Sequence, residues 1–180
     1  MSDGERISGR NVYEGLIIDV SLDRVRLPNG RLCELETIRH PGAAAVVAVD
    51  DQERVLLVRQ YRYATGGWLL EVPAGKLAAG EPPEACARRE VEEETGFRAE
   101  TLTGLGWIWT TPGFTDEKIW LFLAHDLTPG RQALEDHEVL RVERMPLSLA
   151  VEMAAGGEIV DAKSTCALLR AARAGGGVRR

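Results

Sequence analysis

Three glutamates, Glu90, Glu93 and Glu94, have the types and spacing that could do chemistry in this chain. They stand at i, i+3 and i+4, so a helix would carry all three on one face. Like charges placed that way cost roughly a few tenths of a kcal/mol per pair in an isolated helix. They would also lie close to the helix C-terminus, where the backbone dipole disfavours anions. A chain shaped only by helix stability would alternate its signs. Clustered hard oxygen donors beside a glycine loop suit a divalent cation such as Mg2+ or Mn2+. The competing reading is a solvated acidic helix face, which is what most charge runs are.

The surrounding residues say how these acids would be held. Pro82 and Pro83 sit where a helix would start, and proline is tolerated in the first turn because no intrahelical N–H is needed there. Gly96 is placed to end the helix in a left-handed conformation. A helix is therefore predicted from about Pro83 to Thr95, preceded by the loop Pro73-Ala74-Gly75. Gly75, Glu81, Arg89-Glu90-Val91, Glu93-Glu94 and Gly96-Phe97 resemble, in type and spacing, the signature box of the Nudix hydrolases at every fixed position. So many fixed types over one span weigh against the solvated-face reading, subject to the loop–helix context being found.

At 180 residues the chain suits one substantial domain with a small appendage. Its net charge of −6 argues against a duplex-binding surface, which would be basic and patterned, so no nucleic-acid partner is expected. An anionic substrate would need local arginines or a metal. Cys33, Cys86 and Cys166 are far apart and odd in number, and are read as reduced and structural in a cytoplasmic setting. The first ten residues carry no apolar stretch, so no signal peptide is expected, and no apolar run approaches a membrane span.

Along the chain, residues 1–10 are polar and read as frayed. Residues 11–39 read as a small antiparallel sheet with strands at 11–20, 23–27 and 31–39, and Asn29-Gly30 as a type I′ hairpin turn. Such a unit has little core of its own and needs a larger body to pack on, with a dimer partner as one candidate. Ala43 to Val49 is a continuous apolar strand, expected to be buried on both faces. Further strands are predicted over 54–61, 100–110, 118–125 and 139–144, and helices over 146–155 and 161–174, the last capped by Asp161. The order of strands, helix, strands and two helices gives an α/β class with a mixed sheet between helices.

The Nudix resemblance implies the same architecture, an α/β/α sandwich. Three further stretches look like the ADP-ribose pyrophosphatase, or nucleoside-diphosphate-sugar hydrolase, branch. They are Val58-Arg59-Gln60-Tyr61-Arg62-Tyr63 with Leu70-Glu71-Val72-Pro73-Ala74-Gly75, Thr111-Pro112-Gly113-Phe114-Thr115-Asp116-Glu117, and Gly157-Glu158-Ile159-Val160-Asp161-Ala162-Lys163-Ser164. The resemblance implies a division into residues 1–40, a β-sheet segment exchanged across a homodimer, and 41–174, the Nudix domain; the glycine-rich tail, 175–180, reads as disordered from its own composition. The resemblance also implies hydrolysis of the pyrophosphate bond of ADP-ribose to AMP and ribose 5-phosphate, with Mg2+ as cofactor and Mn2+ as an alternative.

The site residues implied by the resemblance are these. Glu90, Glu94, Glu93 and the carbonyl of Ala74 would hold metal, with Glu93 as ligand or in water activation. Arg89 and Glu81 would be structural, Arg89 orienting the box carboxylates. Arg62 would contact the nucleotide end of the substrate and Glu117 its terminal ribose, with Arg59 and Arg39 as further candidates. The catalytic base would come from Glu135-Asp136-His137-Glu138, where the best register selects Asp136 and leaves Glu138 and Glu135 as alternatives. Tyr61, Tyr63 and Phe114 could stack a base or simply pack; Trp107 and Trp109 read as core or dimer contacts. Two rival functions stay open: hydrolysis of another sugar nucleotide such as GDP-mannose, and a non-catalytic ADP-ribose-binding module.

Overall fold

A computed structural model describes residues 3–174; the tail expected to be disordered, 175–180, lies outside the described residues. The chain divides into two compact units. One takes the chain up to Gly42 together with Trp109–Lys118, and the other takes Ala43–Ile108 and the chain from Ile119 onward.

The larger unit is built on a mixed seven-stranded sheet in the order β10-β5-β4-β9-β8, with β6 pairing β5 and β7 pairing β4. Its strands are β4 (Ala43–Val49), β5 (Arg54–Arg62), β6 (Gly67–Glu71), β7 (Ala74–Lys76), β8 (Phe97–Trp109), β9 (Lys118–Pro129) and β10 (Leu140–Pro146). The helices are α1 (Pro83–Thr95), α2 (Leu147–Gly156) and α3 (Ala162–Ala174). β4 is central, parallel to β9 and antiparallel to β5 and β7. Its residues alternate between two cores because successive side chains of a strand point to opposite faces. Ala43, Ala45, Val47 and Val49 join Ala150, Ala154, Ala167 and Leu168 of α2 and α3. Ala44, Val46 and Ala48 join Cys86, Ala87 and Val91 of α1. The sheet thus lies between α1 on one face and α2 with α3 on the other, the layered architecture expected from the order of elements.

The smaller unit holds a three-stranded antiparallel sheet of β1 (Glu5–Glu14), β2 (Asp19–Arg26) and β3 (Leu32–Arg39). The expectation of a frayed start is corrected here: residues 5–14 form a full strand paired to β2. Its sequence offers no apolar face to betray it, and all ten of its residues are exposed. The single strand expected over 11–20 is also corrected, since a turn closed by the Gly15 N–H on the Ile18 carbonyl separates β1 from β2. The Asn29-Gly30 hairpin forms, but within that turn only Gly30 has positive φ, so it is not type I′. Three residues, Pro28 to Gly30, make the reversal, the pattern in which a left-handed glycine closes a longer loop.

Candidate active site

α1 runs from Pro83 to Thr95; the Gly96 N–H makes its last bond, to the Glu92 carbonyl at 2.9 Å, and the Gly96 φ of 75° turns the chain out of the helix. Cys86, Ala87 and Val91 anchor the inner face in the core. Glu90 and Glu94 continue that buried face beyond its apolar part. What they meet is the loop before β7. The Ala74 N–H donates to a Glu94 carboxylate oxygen at 3.2 Å. A Cβ on Gly75 would fall 2.0 Å from Glu90 Oε1, so only glycine leaves room for that carboxylate.

Arg89 ties the acids together. It donates to Glu81 at 3.0 and 2.9 Å, to Glu90 at 2.6 Å, to Glu93 at 3.0 Å and to the Lys76 carbonyl at 3.1 Å. Burial drives the Glu90 carboxyl up to about 7 even against the opposing Arg89 charge, with Glu93 and Glu138 adding to the rise. Burial drives Glu94 up to about 8, and the charges of Glu90 and Glu138 push the same way. These two carboxylates are buried together with less positive charge than their ionised forms need.

A further buried acid, to which the sequence assigns no role, is Glu71 at the end of β6. It accepts both forks of Arg62, at 2.9 and 2.8 Å, and the Lys163 ammonium. Burial alone would raise this carboxyl; Arg62 and Lys163 outweigh it and hold Glu71 at about 2. Its partners lie 9 and 92 residues away, so only the fold brings them together. The sole signal in the sequence was that Glu71 and Lys163 both fall in stretches resembling the branch.

The other predicted residues separate by position. Arg62 feels the Glu94 charge and shares the α1 face of β5 with Leu56, two-residue steps apart. Arg59 lies on the opposite face, clamped to Glu143 at 2.6 and 3.1 Å. In the loop before β10, Asp136 is exposed, whereas the Glu138 charge acts on both Glu90 and Glu94. The Glu138 carboxylate also accepts the Glu135 N–H at 2.9 Å. In the smaller unit, Arg39 is bonded to Asp116 and to buried Asp23, each at 3.0 Å. Glu117 accepts from Thr110 at 2.8 Å. Trp107, Trp109, Tyr61, Tyr63 and Phe114 are all exposed, which removes the core alternative for the two tryptophans and bears in no way on the dimer-contact one.

Among the described residues no three His, Cys, Asp or Glu side chains converge into a ready metal cage. The donor set still fits a hard divalent ion: two buried, under-compensated carboxylates and a glycine cradle shaped around one of them.

The NUDIX domain family matches residues 39–168. The chain belongs to the Nudix family. It is 38% identical to the ADP-ribose pyrophosphatase of Bacillus subtilis, over 90% of this chain and 89% of that one. It is 36% identical to the methanol dehydrogenase activator of Bacillus methanolicus, with the same coverage of both. It is 38% identical to the ADP-ribose pyrophosphatase of Mycobacterium tuberculosis, over 93% of this chain and 82% of that one. In fold it is similar to a solved ADP compounds hydrolase, with a TM-score of 0.84 at 24% identity, covering 98% of this chain and 97% of the other. Nudix hydrolases generally use a divalent metal, and the box of this family member lies on α1 facing the Ala74-Gly75 loop.

Proposed function

We propose that this Nudix enzyme hydrolyses the pyrophosphate bond of ADP-ribose, giving AMP and ribose 5-phosphate, with Mg2+ as the physiological ion and Mn2+ as a substitute. The observation that carries the reading is the complete box, with Glu90 and Glu94 buried against the loop at Gly75. The similarity to two ADP-ribose pyrophosphatases supports the substrate.

Glu90, Glu94 and the Ala74 carbonyl would hold the ion, and Glu93 would complete the set. A divalent ion supplies charge to neutralise the diphosphate and activates the attacking water. Arg89 keeps the box carboxylates from splaying apart. Arg62, fixed by Glu71, offers its guanidinium to the substrate. Glu138 is assigned the proton of the attacking water, since its charge is among the largest acting on both Glu90 and Glu94. Arg39 and Glu117 are assigned to the nucleotide and ribose ends.

The reading includes a homodimer with exchanged N-terminal sheets, supported by the exposed Ile7, Val12, Tyr13, Leu16 and Ile17. It includes a cytoplasmic setting, supported by three free cysteines; among the described residues no helix is long and apolar enough to cross a membrane. The test is product analysis with ADP-ribose and GDP-mannose in Mg2+ and in Mn2+. AMP release from ADP-ribose is expected. Preferential turnover of GDP-mannose replaces the substrate, and calorimetric binding of ADP-ribose without turnover replaces the enzyme by a binding module.

A further inference from the structure

The loop that carries Ala74 is pinned residue by residue from three different elements. The Ala74 N–H is held by Glu94 of α1. The Pro73 carbonyl accepts the Val46 N–H of β4 at 2.9 Å. The Val72 N–H donates at 2.8 Å to Ser164 Oγ, a fully buried hydroxyl in the first turn of α3. Ser164 accepts there through an oxygen lone pair while its own hydrogen goes to Asp161 Oδ2. That same carboxylate oxygen accepts the Ser164 N–H at 3.0 Å, which caps the helix. It also accepts the Lys163 ammonium at 3.0 Å. Lys163 in turn grips Glu71, and Glu71 holds the Nε and Nη2 of Arg62. Nη1 of Arg62 takes no part in that fork.

We infer that the N-terminus of α3 is a single anchor for both halves of the site, setting the metal loop through Ser164 and the substrate arginine through Lys163. Asp161, Lys163 and Ser164 are then positioning residues: none touches the reacting atoms, and each acts through a neighbour. The two arms run through different side chains, Ser164 to the Val72 N–H and Lys163 to the Glu71 carboxylate, so each can be removed without the other. Partners of this kind are worth about 10- to 100-fold in metal affinity or activity when removed. The inference rests on the metal and substrate roles proposed above for Ala74 and Arg62.

The experiment uses the full chain, Mn2+ as the calorimetric probe, and steady-state turnover of ADP-ribose at saturating metal. Ser164→Ala is expected to weaken Mn2+ binding about tenfold or more while leaving KM nearly unchanged. Lys163→Met is expected to raise KM about tenfold while leaving Mn2+ binding nearly unchanged. Asp161→Asn should show both defects, and thermal melting confirms that each variant is folded. If Ser164→Ala does not fold, the Lys163→Met split alone decides, because a merely structural lysine would not move KM without moving Mn2+ affinity. Two variants that lose both properties in the same proportion, or lose only melting temperature, overturn the anchor. Wild-type protein that turns over ADP-ribose yet fails this split leaves the function standing and removes the anchor. Wild-type protein that takes up no Mn2+ overturns the metal reading and the anchor with it.

Discussion

Glu71 and Glu94 are each 1% exposed, lie in the same unit of the molecule, and titrate in opposite directions. Glu71 has its cations built in: Arg62 forks it and Lys163 completes the neutralisation. Glu94 is given one backbone N–H and the lesser pull of the Arg62 charge, against two acidic neighbours whose charges oppose its own. Burying an unpaired carboxylate is costly, whereas a paired and hydrogen-bonded one is tolerated. Under the proposed function, the pair separates a structural acid from one held in reserve for a charge that comes from outside.

The largest expected break in that comparison is Glu94→Gln. It should lower kcat about 1000-fold, on the scale of a metal's several kcal/mol of transition-state stabilisation, as measured by AMP release. Glu138→Gln should cost about 100-fold in kcat, the lower end of a general base's contribution, and Asp136→Asn should leave kcat close to wild type. A larger loss at Asp136 than at Glu138 would return the base to the register-based choice.

Glu71→Gln is the converse case. It should lower folding stability by about 3 kcal/mol, because it leaves Arg62 and Lys163 without their shared anion. Urea unfolding reads this directly. The same pair has a pH signature. The folded Glu71 carboxyl is depressed from 4.5 to about 2, so its stabilisation is complete above the unfolded value and is lost as pH falls from about 4.5 toward 2. The gap in stability between wild type and Glu71→Gln should be full at neutral pH and shrink steadily below pH 4.5. The smallest effect is expected at Arg59, whose partly exposed pair with Glu143 is worth at most about 1 kcal/mol. Arg59→Ala should leave KM near wild type, whereas Arg62→Ala should raise it.

What the sequence could and could not disclose follows the same division. The α1 limits were readable because proline and glycine mark helix ends by local geometry, and α1 runs from Pro83 to Thr95 as expected. The acids on it were readable because their spacing is set within one helix. Glu71 was not, since a lone glutamate in Leu70-Glu71-Val72 gains its meaning from residues that only tertiary folding supplies. β1 was missed for a related reason: its pairing rests on backbone bonds to β2, and its scattered apolar residues, Ile7, Val12 and Tyr13, keep no sustained alternation to read. β8 starts at Phe97, directly after the helix cap, rather than at Glu100, because Gly96 reverses the chain without a longer loop. Asp161 was legible as a cap but not as the common acceptor of Ser164 and Lys163.

The most direct measurement is the melting temperature of wild type and Glu94→Gln, each with and without Mg2+. A ligand at 100 times its dissociation constant adds about 2.7 kcal/mol to the folded state. Wild type should gain thermal stability with Mg2+, while Glu94→Gln should melt higher than metal-free wild type and gain little more from the ion. An equal response to Mg2+ in both proteins, or none in wild type, would contradict the claim that these buried acids are held for a divalent cation.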